Sequence, residues 1–391
     1  MTKSQQTTEI LKRAVAEIIH EPSLVKKLQG SKKLRIKLGI DPTSPNIHIG
    51  RAVVLWKLRA FQDLGHTAVL IIGDFTGQVG DTSDKDAERP ELSEAEIKRN
   101  LKTYLQQAYK ILDKSKTEVK YNSKWLKKLG FAEIGTLASL FGLHEYSSRE
   151  NIKKRLDAGK RVSLRELMYP LMQGYDSVMV KADVELGGTD QRFNMLSGRT
   201  IQEAYNQSPQ DVLMVDLLEG TDGRKMSSSW GNSINLNDQP ADMFGKLMSI
   251  EDKLIAKYFL FATNLAEPEI NKILKTNPHP RNQKLILAET ITALYHDKKL
   301  ASAAKQKFIS QFSNKELPKD IKTVSVKTGR YQVADLLVQL KLAESKSEAR
   351  RLVAQNGVKV NQTTYKEAEI ELKQKNNLIV QVGKRRFIRI K

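Results

Sequence analysis
The stretch from Leu34 to Ile72 constrains the fold more than any other part of the chain. Leu34 to Ile40 alternates apolar with other side chains, the period-two signature of a strand. Val54, Leu55, Leu58, Phe61 and Leu64 then recur at helical spacing, and Gly65 stands where a helix C-cap belongs. Thr67 to Ile72 is a short, apolar, β-branched run suited to a buried strand. Strand, loop, helix and strand within about forty residues make a βαβ unit, and so predict a parallel sheet. The loop at residues 39–50 lies at the carboxyl end of the first strand and feeds a helix N-terminus, where α/β sheets hold phosphates. Gly39 and Gly50 permit close approach, Pro42 and Pro45 stiffen the loop, and Asp41, Thr43 and His48 offer polar contacts. This combination predicts a nucleotide-binding loop.

Further loops share that sheet edge. Residues 73–85 form a polar, glycine-rich turn after the second predicted strand. Ser93 and Glu96 spell a capping box for a helix whose buried stripe is Ile97, Leu101, Tyr104, Ala108 and Ile111. Residues 117–165 read as a short strand and then helices, an insertion between the halves of the sheet. Ser163 and Glu166 form a second capping box, and Pro170 interrupts the helix that it opens. Tyr169, Gln173 and Asp176 are spaced to share one helical face. Paired glycines return at Glu185-Leu186-Gly187-Gly188-Thr189-Asp190-Gln191, with a helix predicted from Arg192. A last strand at 212–215 precedes Gly223-Arg224-Lys225-Met226-Ser227-Ser228-Ser229, cations and hydroxyls suited to phosphates that come and go. Residues 4–29 are predicted as one helix, on the spacing of Ile10, Leu11, Ala14, Ile18 and Ile19. From Asp238 to about Asn314 the pattern is helical. From Tyr331 two helical stretches, Val333 to Leu340 and Lys346 to Gln355, are followed by β-like runs.

Composition narrows the function classes. The 391 residues carry a formal net charge of +20 and no cysteine, so disulfides and thiolate chemistry are excluded. No apolar run approaches the twenty or so residues of a membrane span. The N-terminus mixes Glu9, Glu17 and Glu21 with its lysines, which predicts a cytoplasmic protein without an export signal. A basic excess points to a polyanionic partner, most simply nucleic acid. Residues 331–391 concentrate it, with 13 Lys and Arg against 6 Asp and Glu.

Taken together, these motifs resemble a known family. Asp41-Pro42-Thr43 with His48-Ile49-Gly50 resembles the HIGH signature of class I aminoacyl-tRNA synthetases, and Lys225-Met226-Ser227-Ser228-Ser229 resembles their KMSKS signature. Tyr169-Pro170-Leu171-Met172-Gln173-Gly174-Tyr175-Asp176 with Gly187-Gly188-Thr189-Asp190-Gln191 is similar to the tyrosyl-tRNA synthetase family in particular. Val333 to Leu337, Ser347 to Arg351 and Gly357 to Asn361 resemble the S-four RNA-binding domain of its bacterial members. The ordered set covers nearly the whole chain.

The resemblance implies a Rossmann-like parallel-sheet catalytic domain over residues 1–237, with a connective insertion at about 95–180. It implies a helical anticodon-recognition region at 238–316, a linker at 317–330 and a small α+β RNA-binding domain at 331–391. It further implies a tyrosine pocket of Asp81, Tyr169, Gln173, Asp176 and Gln191, with Asp176 accepting from the substrate phenol. The ATP side would use Gly39, Asp41, Thr43, His48, Gly50, Gly188, Asp190 and Ser228. Lys85, Arg89 and Lys225 would face the pyrophosphate. Lys346, Arg350, Arg351 and Lys359 would face RNA. The implied partners are ATP with Mg²⁺, L-tyrosine, tRNA(Tyr) and a second copy of the chain, with no structural metal held by the protein alone. Three positions depart from the signatures: Arg51 replaces the second histidine of HIGH, Ser228 the second lysine of KMSKS, and Lys37 a tyrosine found in many bacterial members. Two alternatives stay open: a tryptophanyl-tRNA synthetase, which shares the fold and both signatures, and an RNA-binding relative whose catalytic site has decayed, suggested by Arg51 and Ser228.

Overall fold
A computed structural model describes residues 2–83, 92–313, 321–372, 378–383 and 386–391. The chain divides into two compact units, residues 1–305 and 306–391.

In the first unit, α1 (Lys3–Lys12), β1 (Val15–Ile19) and α2 (Glu21–Gln29) open the chain. The single helix expected over 4–29 is thus corrected to helix, strand, helix. Ala14 and His20 turn the backbone at φ +54° and +63°, and the β-branched run between them pairs antiparallel with a distant strand, which local periodicity cannot register. The βαβ unit then appears as β2 (Arg35–Ile40), α3 (Ile49–Asp63) and β3 (Thr67–Ile72). After the single turn α4 (Thr76–Val79), α5 (Glu94–Ala108), with its Ser93–Glu96 capping box in place, leads to β4 (Thr117–Tyr121).

β4 pairs parallel with β3, so the stretch read as an insertion begins with a strand of the main sheet. Short helices follow: α6 (Ser123–Leu126), α7 (Phe131–Ser139), α8 (Leu143–Ser147), α9 (Glu150–Asp157) and α10 (Leu164–Leu167). They lead to α11 (Tyr169–Val180), β5 (Val184–Gly188), α12 (Arg192–Ala204) and β6 (Asp211–Val215). Pro170 falls in the first turn of α11, where its missing N–H costs nothing, so it separates α10 from α11 rather than kinking one helix.

The sheet order is β1-β6-β5-β2-β3-β4, with β1 alone antiparallel. β2 lies in the middle; later strands extend first to one side and then to the other. The order reverses between β2 and β5, and in open α/β sheets such a switch point opens a crevice at the carboxyl ends of the strands. The 39–50 loop leaves β2 there, and Gly187-Gly188 end β5 beside it. α11 and α12 cover one face at close range: a Cβ on Gly174 would lie 3.1 Å from the Gly198 nitrogen. The unit continues through α13 (Pro240–Met248), α14 (Ile255–Ala262), α15 (Glu267–Thr276) and α16 (Pro280–Tyr295) into α17 (Lys298–Ser313).

The second unit has its own core, including Val333, Leu336, Leu337, Val358, Val380 and Ile390. β7 (Thr323–Val324), β8 (Gly329–Gln332), α18 (Val333–Gln339), α19 (Lys346–Ala354), β9 (Val358–Val360), β10 (Thr363–Thr364), β11 (Glu369–Leu372), β12 (Leu378–Val382) and β13 (Arg386–Ile390) form it. β7 runs parallel to β13 and β8 pairs with β11, so strands occupy part of the stretch expected as a linker at 317–330. Val324 and Val326 pack on the core, which anchors a segment whose polar composition hides it.

Candidate active site
The crevice is a cavity of about 420 Å³. Thr43, His48, Lys225, Asp81, Tyr169, Gln173, Asp176, Gln191, Gly39, Asp41, Gly50, Gly188, Asp190 and Ser228 all line it. The chain order of these residues spans most of the first unit, and the switch point brings them together. Lys85 and Arg89 lie outside the described residues.

The 39–50 loop is fixed from α5. Gln107 accepts from the Ile47 amide at 2.9 Å and donates to the Pro45 carbonyl at 2.8 Å, while Asn100 donates to the Pro42 carbonyl at 2.8 Å. His48 caps α3, its Nδ1 accepting from the Arg51 amide at 3.2 Å. That bond leaves Nε2 to carry the proton of the neutral ring. Burial, then Arg51 and Lys225, push the imidazole down to about 3, so His48 works as a neutral donor and not as a cation. The Gly50 amide donates to Met226 Sδ at 3.4 Å, which ties this loop to the 225–229 run. A Cβ on Gly50 would sit 3.1 Å from His48 Nδ1, too tight for any other residue without displacing the ring.

A buried hydrogen-bond chain crosses the cavity wall. Tyr169 donates to Asp41 Oδ2 at 2.9 Å, and Thr76 donates to Asp41 Oδ1 at 2.7 Å. Burial, then Asp41 and Asp81, hold the Tyr169 hydroxyl well above its usual range, so it remains a donor. Asn122 donates to Thr76 Oγ1 at 3.0 Å and to Asp176 Oδ2 at 3.2 Å. Trp125 donates to Asp176 Oδ1 at 2.7 Å. Burial, opposed by Lys37, Trp125 and Asn122, pushes the Asp176 carboxyl up to about 7. In its ionised form this group is an acceptor only, and donors already meet both of its oxygens.

Around the far rim, Gln191 donates to Asp81 Oδ2 at 2.6 Å, and Ser83 caps both Asp81 oxygens. Lys225 Nζ pairs with Asp190 Oδ2 at 2.9 Å. The loop carrying Lys225 is held by Asn232, which accepts from the Ser227 amide at 2.9 Å and donates to the Lys225 carbonyl at 3.1 Å. One end of the cavity therefore offers a buried carboxylate, and the other offers a cation, hydroxyls and a helix N-terminus.

Sequence comparison decides what family builds such a cavity. A profile described as tRNA synthetases class I (W and Y) matches residues 29–313, and one described as the tyrosine–tRNA ligase SYY-like C-terminal domain matches 313–390. The tyrosine–tRNA ligase of Thermotoga maritima is 45% identical over 395 residues, covering 100% of this chain and 98% of its own. That of Carboxydothermus hydrogenoformans is 47% identical, covering 98% of this chain and 97% of its own. The chain belongs to the tyrosine–tRNA ligase family. Solved structures agree on the fold. The Archaeoglobus fulgidus tyrosyl-tRNA synthetase complexed with L-tyrosine superposes with a TM-score of 0.61 at 20% identity, covering 78% of this chain and 100% of that one. A C-terminally truncated mitochondrial enzyme of Aspergillus nidulans gives 0.64 at 21%, covering 79% and 98%.

Within this tyrosine–tRNA ligase family member, the departures have definite neighbours. Arg51 donates to the Tyr104 hydroxyl at 3.2 Å and to Thr43 Oγ1 at 3.4 Å, which holds a positive group against the signature threonine. Ser228 lines the cavity beside Lys225. Sequence reasoning missed Gly73, Thr76, Asn122 and Trp125 as site residues. Their one advance signal was position: each follows a strand on the same sheet edge. In the second unit, Lys346, Arg350 and Arg351 are exposed on α19 and Lys359 is half-buried on β9, with Lys346 paired to Asp335 at 2.9 Å.

Proposed function
We propose that the chain activates L-tyrosine with ATP and transfers it to the 3′-terminal adenosine of tRNA(Tyr). The tyrosine carboxylate attacks the α-phosphorus of ATP. The bond to the bridging oxygen breaks, and pyrophosphate leaves with tyrosyl-adenylate formed. A terminal hydroxyl of the tRNA then attacks the tyrosyl carbonyl carbon, its proton is lost, and AMP departs. No side chain of the protein is consumed, so catalysis is positioning plus stabilisation of charge on phosphates.

The observation that carries this reading is Asp176, a buried residue of the cavity lining held by two N–H donors. A phenol hydroxyl completes its acceptor set. Phenylalanine leaves that carboxylate short of a donor, and sites built for a substrate hydroxyl reject the analogue lacking it by about 10⁴–10⁵. Asp81, Gln173 and Tyr169 would surround the α-ammonium. Thr43, the neutral His48 and Lys225 would meet the phosphates, with Mg²⁺ entering as part of the ATP substrate, and Gly39, Gly50, Gly188 and Asp190 would border the nucleoside.

Arg350, Arg351, Lys346 and Lys359 give the second unit a cationic set for tRNA. Phe131, Leu143 and Leu164, which are 93%, 73% and 74% exposed, supply apolar surface for a homodimer in the cytoplasm. Charging of bulk tRNA by the purified chain tests the reading: label is expected to enter acid-precipitable tRNA from tyrosine. Label from tryptophan, or from no amino acid, would overturn it.

A further inference from the structure
Beneath the cavity lies a pair of buried charges that the reaction does not use. Side chains alternate across a strand, so Lys37 and Gly39 face the same side of β2, and Glu185 and Gly187 the same side of β5. Gly39 and Gly187 line the cavity, and Lys37 and Glu185 lie one layer below them as register partners in the parallel ladder. Lys37 Nζ meets Glu185 Oε1 at 2.8 Å, with side chains 0% and 1% exposed. It also donates to the Gln173 carbonyl and to Ser177 Oγ, both at 2.7 Å. Glu185 in turn accepts from Gln173 Nε2 at 3.0 Å and from Gln210 Nε2. Burying two charges carries a desolvation cost that an apolar pair of equal volume avoids, so the pair is a poor stability device. Apart from Gln210, its partners lie instead on one turn of α11, the turn that carries Gln173 and Asp176.

We propose that Lys37 is a positioning residue for tyrosine: its ammonium fixes that turn of α11 and supplies the fixed positive charge that Asp176 faces from below. The proposal rests on the tyrosine-activating reading. With Nε2 committed to Glu185, the side-chain carbonyl oxygen of Gln173 is left to accept from the α-ammonium. From below, Lys37 favours the ionised form of Asp176, the form that accepts from the substrate phenol. The charges bearing on Asp176 are Lys37 on β2 and Glu185 on β5, with the neutral Tyr169 hydroxyl on its own helix; Lys37 favours the carboxylate and Glu185 opposes it.

Those opposite signs supply the test. Amino-acid-dependent ATP–pyrophosphate exchange is measured at pH 7 on the full chain, its Lys37→Met and Glu185→Gln variants and the Lys37→Met/Glu185→Met double variant, with tyrosine and with phenylalanine. Lys37→Met is expected to raise KM for tyrosine and to lower the tyrosine-to-phenylalanine ratio of kcat/KM by about tenfold or more, leaving KM for ATP unchanged. Glu185→Gln breaks the same ion pair but is expected to hold the ratio within about threefold. The double variant is expected to fall between them. A ratio unchanged in Lys37→Met would overturn the proposal, as would equal losses in both single variants with recovery in the double one, the pattern of a merely structural pair. Should Lys37→Met lose its folded thermal transition, the folded Glu185→Gln and double variants decide by the same ordering. Absence of tyrosine-dependent exchange in the unmodified chain would instead defeat the functional reading itself.

Discussion
Asp176 carries the chemistry of recognition at the scale of a single carboxyl group. Burial lifts it to about 7, so its charge changes within the working pH range. His48, pushed down to about 3, does not titrate there and leaves the acidic limb to Asp176. KM for tyrosine is therefore expected to rise as pH falls through about 7, approaching tenfold per pH unit, the limit for one proton. Steady-state exchange between pH 6 and 9 checks this, and a flat profile would contradict it. The stability sign is opposite. The folded value lies above the unfolded one near 4, so the contribution of Asp176 to stability is present below about pH 4 and is lost as pH rises through about 7. The ligand-free thermal midpoint is expected to fall between about pH 4 and 7, and to fall less in Asp176→Asn. Asp176→Ala should reduce discrimination against phenylalanine by at least a hundredfold, roughly 2.7 kcal/mol, while ATP binding persists. The carboxylate itself was legible in the sequence because it shares a helical face with Tyr169 and Gln173. Its donors Asn122 and Trp125 were not, since a polar turn after a short strand carries no period that marks it as a site.

Elements bring those residues together, and glycine at one turn sets how closely. A Cβ on Gly73, between β3 and α4, would overlap Asp41 and Thr76, breaking the chain of hydrogen bonds that joins the 39–50 loop to Asp176. Gly73→Ala is expected to cut tyrosine-dependent exchange at least tenfold, about 1.4 kcal/mol, with the far-ultraviolet circular dichroism of the parent. Wild-type rates in that variant would remove the chain from the account of catalysis. The βαβ unit, the capping boxes at Ser93 and Ser163 and the helices of the second unit were all legible, because local periodicity and caps determine them. β1 was not. Its pairing with β6 spans nearly two hundred residues, and the β-branched run Val15–Ile19 fits helical spacing equally well until that partner is known. β7 was hidden for the same reason, two residues stabilised by a strand at the far end of the chain.

The whole molecule combines a catalytic unit with a basic one, and the two should fail separately. Removing residues 331–391 is expected to depress tRNA charging at least tenfold while exchange stays within about twofold of the parent. Equal losses would contradict a separate RNA-binding role. If Arg350 and Arg351 meet phosphates, replacing both with alanine should weaken tRNA binding and flatten its dependence on salt by about one to two charges. The most direct measurement remains amino-acid-dependent exchange of labelled pyrophosphate into ATP by the purified chain, with tyrosine, tryptophan and phenylalanine offered separately. Exchange with tyrosine at least a thousandfold above the others is expected, below the limit of about 10⁵ for a site built around a substrate hydroxyl. Exchange led by tryptophan, or none with any of the three, would contradict the assignment.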